Sequence, residues 1–234
     1  MRVHLVHAHP ERDSFVAAMR DVLLSGFAER GDEVTLSDLY AMNFNPVLSA
    51  DDFGSPRSTD HLVYALEQRH GWEQGTIASD IRAEVEKVLA ADFIAFTFPV
   101  FWFSTPAILK GWIDRVFLSG TFYGGRRIYG AGGLAGKRAF AAISLGGRPH
   151  MFGEKTIHGE LERGMMRHFF QGSLGYVGLT VHEPFVAYHV PYVDDEARRT
   201  MLEALRETVV NLENQPVMAM PELGRFDGRF APKA

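Results

Sequence analysis

Three short stretches of this chain hold residue types that could bind a charged ligand with a flat part. His9-Pro10-Glu11-Arg12-Asp13-Ser14 runs into a helix-prone segment. There the Ser14 hydroxyl, the free amides of a helix start and a cation from His9 or Arg12 could meet a phosphate. An ordinary Ser or Asp N-cap explains the same residues, and Asp13 opposes an anion unless it points away or caps the helix. Pro99-Val100-Phe101-Trp102-Phe103-Ser104-Thr105-Pro106 puts three adjacent aromatics on a loop, which suits a flat ligand or a hydrophobic dimer surface. Ser144-Leu145-Gly146-Gly147 allows backbone to approach a ligand without an intervening Cβ, although a plain turn uses glycines too.

Together the three loops offer a phosphate end, an apolar slot and a glycine clamp, a cradle suited to a flavin nucleotide. Two further segments carry chemistry-bearing residues. The Gly-rich stretch 120–136, with Tyr123, Arg126, Arg127 and Tyr129, reads as a lid, as an arm contacting a partner or as plain loop. His158, in the run IHGE, stands at the expected start of a helix over 157–170, where a structural histidine is the alternative to a catalytic one.

The elements that must position these loops follow from apolar periodicity. Strands are expected near 3–8, 33–38, 93–99, 138–144 and 178–187, the third a continuous apolar run typical of a parallel strand covered on both faces. Helices are expected over 15–30, 77–90, 106–118, 157–170 and 194–212, with some helix over 64–72. Ile77, Ile81, Val85, Val88 and Leu89 form the inward face of the second of these. Signals weaken between Tyr40 and Gly75, where Pro46, Gly54-Ser55-Pro56 and Ser58-Thr59 mark an irregular excursion. The alternation predicts a doubly wound α/β fold, with the order 2-1-3-4-5 or half of a dinucleotide fold. In either, ligands sit beyond the C-terminal ends of the strands, where the order reverses, and the three loops lie there. Residues 1–216 read as one domain and 217–234 as a tail packing on it or on a partner.

Composition narrows the classes. Of 234 residues, 46% are hydrophobic and 23% charged, which fits a globular chain. The absence of cysteine removes disulfides, thiolate-held metals and thiol catalysis. A net charge of −5 gives no sign of a nucleic-acid surface. The apolar stretch 93–109 is short and broken by Pro99 and Pro106, so no integral membrane segment is expected, and no signal peptide is evident. The expectation is a soluble cytoplasmic protein without a metal site.

HPERDSF (9–15), SDLYAMNFNP (37–46), FPVFWFSTPAILKGWIDRVF (98–117), the glycine pair 146–147, IHGE (157–160) and DDEAR (194–198) closely resemble the flavodoxin-like NAD(P)H quinone reductases of the DT-diaphorase type. The resemblance spans about residues 3–216. It implies the flavodoxin-like strand order and a homodimer holding FAD non-covalently, with active sites at the subunit interface. On this resemblance His9, Ser14 and Phe15 contact the diphosphate, and Pro99, Val100, Trp102 and Phe103 wall the isoalloxazine ring. Gly146 and Gly147 meet its opposite polar edge, and Arg198 lies near the adenosine. Trp102 and His158 line the substrate pocket. The chain departs from the family at Asp13 and Val16, where Thr and Asn are usual, and at Phe152, where the mammalian-type enzyme has Tyr. Of two partner-contributed tyrosines, Tyr123 matches one and Gly125 replaces the other.

The implied activity is two-electron reduction of quinones by NADH or NADPH, a ping-pong hydride transfer through FAD, with His158, Trp102 and Phe152 shaping the reaction slot. Arg198 and the chain length favour FAD over FMN. Rival readings are a reductase of azo compounds, nitroaromatics or free flavin, and a flavin-binding regulatory subunit of a transporter. No G-x-S-x-G elbow supports a hydrolase, and no glycine fingerprint after the first strand supports a Rossmann dehydrogenase.

Overall fold

In a computed structural model, which describes residues 1–58 and 60–233, strict alternation along the central strands divides the core into two layers. Thr59, in the expected excursion, and Ala234, the end of the expected tail, lie outside the described residues. Strands β1 (Arg2–His7), β2 (Glu33–Asp38), β3 (Phe93–Pro99) and β4 (Arg138–Ser144) are parallel in the order β2-β1-β3-β4. On β3, Phe93 and Ala95 face one layer, and Ile94, Phe96 and Phe98 face the other. Every residue of β3 is buried, as a parallel strand covered on both sides requires.

One layer belongs to α1 (Phe15–Glu29) and α6 (Asp195–Val210), whose Met19, Leu23, Phe27, Leu205 and Val209 pack on the sheet. The other holds α3 (Ser79–Ala90) and α4 (Ala107–Val116), with Trp112 fully buried among Phe96 and Phe117. The weak helical signal after residue 60 becomes α2 (Tyr64–Gln74). Ser14 and Asp194 cap α1 and α6, accepting from the amides of Ala17 and Ala197.

Three expectations need correction. The last strand is split into β5 (Thr180–Val181) and β6 (Phe185–Ala187), both parallel to β4, because Pro184 between them has no N–H to continue a ladder. The helix expected over 157–170 begins later. Gly159, at φ 71°, turns the chain, and π-helical turns Leu161–Met165 and Phe170–Gly175 flank a short α5 (Arg167–Phe169). Ile77 precedes its helix, bridging Phe53, and Leu89 faces outward. The Gly-rich stretch, left open above between lid, arm and loop, is tied to the body by buried Phe122 and Leu134 and by Gly133 donating to Phe122 O at 2.7 Å.

The excursion after β2 is anchored by a buried cation. Arg115 of α4 pairs with Asp52 at 2.7 Å and Asp80 at 2.6 Å, and donates to Asn45 O at 2.9 Å. Burial disfavours the charged guanidinium, but the two carboxylates outweigh it and hold its pKa above the ordinary value. Gly111 completes the contact, since a Cβ there would lie 2.1 Å from Pro46 O. At the far end, Met218 donates to Val181 O at 2.8 Å and is buried, and Arg126 stacks on Phe230 with 5.1 Å from guanidinium to ring.

Two imidazoles inside the sheet layers set a pH limit. Burial lowers the pKa of both His4 and His7 to about 4 from 6.5, although Glu84 and Asp38 respectively pull the other way. A folded state that keeps these rings neutral loses stability as pH falls below 6.5, where only the unfolded chain takes up the protons. Denaturant unfolding should therefore be insensitive to these groups above pH 7. It should weaken between pH 6.5 and 4 by roughly 2–3 kcal/mol per ring at the low end. His4→Gln and His7→Asn should flatten that dependence, and an unchanged slope in both variants would remove the assignment.

Candidate functional site

The three chemically unusual loops come together because β1, β3 and β4 end side by side. Ala8 donates to Thr97 O at 3.0 Å and Val100 to Ser144 O at 2.8 Å, carrying the ladders past the strand ends. Beyond these rungs the chain opens into a groove of three connected cavities. The innermost, about 250 Å³, is lined by Val100, Trp102, Phe103, Leu145, Gly146, Gly147, Phe152 and His158. The middle one, about 220 Å³, shares Val100, Leu145 and Gly146 with it and adds His9, Ser14, Phe15 and Pro99. The outer one, about 590 Å³, shares Ser14 and Phe15 with the middle and adds Asp13, Asp195, Arg198 and Arg199. Every site residue expected from the sequence lines this groove. A separate cavity of about 450 Å³ lies at the opposite ends of β1 and β2, and none of the expected residues lines it.

At the inner end, Phe101 and Ser104 exchange amide-to-carbonyl bonds of 3.0 Å in both directions, so Trp102 and Phe103 form the corner of a two-residue turn. Their φ angles are 52° and 57°, left-handed values that Asn-Gly would normally supply. Each costs about 1–2 kcal/mol for an L-residue with a bulky side chain. The turn leaves the Trp102 side chain 96% exposed and the amides of Trp102 and Phe103 without a protein acceptor among the described residues. Across the cavity, the amides of Gly146 and Gly147 also lack one. Four donors thus border one slot.

The slot's walls are aromatic. The His158 ring lies 5.1 Å from Phe103 and 5.2 Å from Phe152, centre to centre, with no side-chain hydrogen bond among the described residues. It sits in a loop closed by Gly153 donating to Gly159 O at 2.9 Å, not on a helix. Phe152 covers Gly147 so closely that a Cβ there would meet its ring at 2.8 Å. At Gly146 the nearest atom to a built Cβ is 3.6 Å away, so space remains beside its amide.

Toward the middle of the groove, His9 Nδ1 lies 3.0 Å from the Glu11 amide and 3.1 Å from the Glu11 carbonyl oxygen, so the ring is held by the backbone of its own loop. Ser14 Oγ accepts from the Ala17 amide at 3.1 Å and keeps its own proton to donate. The capping and phosphate readings of Ser14 are therefore compatible. The amides of Phe15 and Val16, in the first turn of α1, have no intrahelical partner. At the outer end Arg198 donates to Val190 O at 3.2 Å and to Asp195 at 2.8 Å, so its guanidinium is partly committed.

Several residues of the site were not evident from the sequence. His189, at φ 59°, donates its amide to Gly147 O at 2.9 Å, and its Nδ1 lies 2.9 Å from Gly146 O, holding the glycine pair. Tyr188 packs against Phe152 at 5.9 Å, and burial, reinforced by Glu162, raises its phenol pKa so that the hydroxyl stays protonated. His168 Nε2 meets Ser104 Oγ at 3.0 Å, bracing the aromatic turn from α5. Tyr123 does not line the groove of its own chain. It packs on Tyr176 at 5.6 Å, beside a depression shared with Lys110 and His168.

Comparison with known proteins agrees with this architecture. The profile of the flavodoxin-like fold family matches residues 1–209. The NAD(P)H dehydrogenase [quinone] 1 of Rattus norvegicus is 35% identical over 231 residues, covering 98% of this chain and 84% of its own. The ribosyldihydronicotinamide dehydrogenase [quinone] of Homo sapiens is 34% identical over 204 residues, covering 87% and 88%. A solved structure from Klebsiella pneumoniae, described as a candidate quinone reductase, superimposes with a TM-score of 0.91 at 34% identity, covering 97% of this chain and 91% of that one.

The left-handed turn yields a prediction independent of any ligand. Trp102→Asn removes no buried area and puts a residue tolerant of positive φ at the corner, so unfolding in urea should require about 1 kcal/mol more than in the parent. An equal or lower stability would show that the turn carries no strain.

Proposed function

The chain belongs to the flavodoxin-like family of NAD(P)H quinone reductases, and we propose that it reduces quinones to hydroquinones at the expense of NADH or NADPH, by a ping-pong hydride transfer through bound FAD. The reaction balances as quinone plus NAD(P)H plus a proton giving hydroquinone and the oxidised nicotinamide. The observation carrying this reading is the single groove that joins an aromatic slot bordered by four free amides to a helix N-terminus and then to a pair of arginines. The residues fit a flavin dinucleotide: a flat ring between Trp102–Phe103 and Gly146–Gly147, a diphosphate at His9, Ser14 and Phe15, and an adenosine toward Arg198. A mononucleotide would leave the outer cavity unused, which favours FAD over FMN.

When bound, the flavin would supply the redox chemistry, as a two-electron carrier between a nicotinamide and a quinone that use the slot in turn. The protein's part is positional and electrostatic. The amides of Trp102 and Phe103 on one side and of Gly146 and Gly147 on the other would hold the ring, and neither pair has a protein acceptor to release among the described residues. His158 packs between Phe103 and Phe152 with no side-chain hydrogen bond among the described residues, so its imidazole is free to hydrogen-bond the acceptor oxygen. Phe152 has no hydroxyl, so polar support beside His158 falls to the glycine amides.

A homodimer completes this reading. Phe101, Trp102 and Ile157 are exposed around the inner cavity, and Tyr123 faces away from its own groove, so a second copy would both cover the apolar rim and bring a tyrosine to the slot.

Identification of the flavin released from purified protein, with stopped-flow reduction by each nicotinamide and reoxidation by benzoquinone, tests the proposal. FAD release and rapid reduction are expected, and a colourless chain that cannot be refilled with flavin would sink it. Phe152→Tyr probes the slot further, since the new hydroxyl would sit above Gly147 beside His158. Reduction of the flavin should quicken by about tenfold, the worth of one good hydrogen bond to developing charge. His158→Ala should slow quinone turnover. Additive effects in the double variant would mean the two groups act separately.

A further inference from the structure

His189 hydrogen-bonds both members of the glycine pair. Its amide donates to Gly147 O at 2.9 Å, and its ring Nδ1 lies 2.9 Å from Gly146 O. A carbonyl oxygen can only accept, so Nδ1 carries the proton in that bond. The half-buried ring is steadied in turn by Tyr192, whose ring lies 4.9 Å away and whose amide donates to His189 O at 3.0 Å. The backbone at 189 stands at φ 59°, which glycine or asparagine adopts at less cost. Neither that turn nor the amide bond to Gly147 O requires an imidazole. The ring's own hydrogen bond among the described residues goes to Gly146 O alone.

That target has a chemical consequence. The carbonyl of Gly146 and the N–H of Gly147 are two ends of one peptide unit. A hydrogen bond accepted at the oxygen draws charge through the amide and makes its N–H a stronger donor, by about 10–30%. The Gly147 N–H borders the slot and has no protein acceptor among the described residues. In the next peptide unit the gain is spent inside the protein, because the Arg148 amide already meets Met151 Sδ at 3.4 Å. We propose that His189 is a positioning residue whose imidazole polarises the Gly146–Gly147 peptide, strengthens the Gly147 donor toward the bound ring and so favours the ring's reduced form. The proposal rests on the flavin reading above. Two-electron reduction adds negative charge to the ring, and a donor gains more from a charged acceptor than from a neutral one. The stronger donor therefore holds reduced flavin more than oxidised flavin and raises the reduction potential.

Two substitutions separate the imidazole from the backbone that carries it. His189→Gly keeps the positive φ and the amide bond to Gly147 O but has no side-chain donor. His189→Asn also tolerates the positive φ. Its Nδ2 branches from Cγ as the imidazole Nδ1 does, so it can make the same bond to Gly146 O. A residue that merely held the loop would, when lost, weaken oxidised and reduced flavin alike and leave the potential where it was.

The test uses the full-length protein, read without flavin and after loading with FAD. In the flavin-free protein, the Gly147 amide proton resonance should move upfield in His189→Gly and stay near its parent position in His189→Asn. In the loaded protein, FAD titration and the two-electron midpoint potential are measured at one pH. His189→Gly should lower the ratio of reduced to oxidised affinity about threefold, the size of a partial strengthening of one charge-assisted bond. For a two-electron couple that is a fall of roughly 14 mV. His189→Asn should restore most of it. Should His189→Gly fail to fold, His189→Ala lacks the same donor and reads the same difference. A loaded variant without the donor whose potential equals the parent's, or a His189→Asn potential as low as that of His189→Gly, would overturn the proposal and leave the flavin reading intact. A parent protein that takes up no flavin would overturn the flavin reading and the proposal with it.

Discussion

The last rung between β3 and β4, the Val100 amide donating to Ser144 O at 2.8 Å, is the constraint on which the site depends. The register beneath it, Pro99 beside Ser144, is set by apolar side chains on both faces, and a slip of one residue would send Phe96 and Phe98 to the wrong layer. Once that rung is made, the aromatic turn and the glycine pair leave the sheet side by side, and the slot between them follows from the geometry of parallel strands. His189, donating to Gly147 O from beyond β6, locks the glycine side, and His168, meeting Ser104, braces the aromatic side. Both clamps come from outside the strands and act on loops whose own hydrogen bonds are few. The groove is therefore as rigid as a loop site can be while keeping its amides free for a ligand.

Much of this was legible in the sequence, because the signals were local. The runs 93–99 and 138–144 are apolar throughout, which only a doubly covered strand explains, and Ser14 before an apolar helical face marks a cap. Knowing the strands and their order places the loops after β1, β3 and β4 at one edge, so the expected site residues fell into one groove without any reading of their side-chain geometry. What escaped was long-range or dihedral. Arg115 and Asp52 are 63 residues apart and meet only because Gly111 admits Pro46 against α4. The split of the last strand turned on a single proline, and the π-helical turns around α5 have no simple sequence signature. His158 was misplaced on a helix for the same reason: the IHGE run carries no apolar period, and Gly159 at φ 71° redirects the chain before helix begins.

The aromatic turn was visible as a cluster, but its conformation was not. Two bulky residues at positive φ violate the local preference of every residue type except glycine and, weakly, asparagine. Sequence rules fail where structure is held against preference, and such places are commonly functional. Here the reason is concrete. The left-handed pair leaves both amides without a protein acceptor among the described residues and stands the indole clear of the body.

The same logic explains the pairing of Gly147 with Phe152. A hydrogen at Gly147 lets the Phe152 ring rest on the backbone, and any Cβ would push that ring off by close to an ångström. Phe152 in turn packs at a tilt on His158, which packs at a tilt on Phe103, so one wall of the slot is a continuous row of rings resting on one glycine. The row is apolar where a hydroxyl would otherwise stand, and its polar duties pass to backbone amides that cannot change protonation state. Tyr188, behind Phe152 and kept protonated by burial, adds a neutral phenol near the row rather than a charge. A slot built this way presents backbone donors on two sides and one imidazole, His158, set between two of the rings.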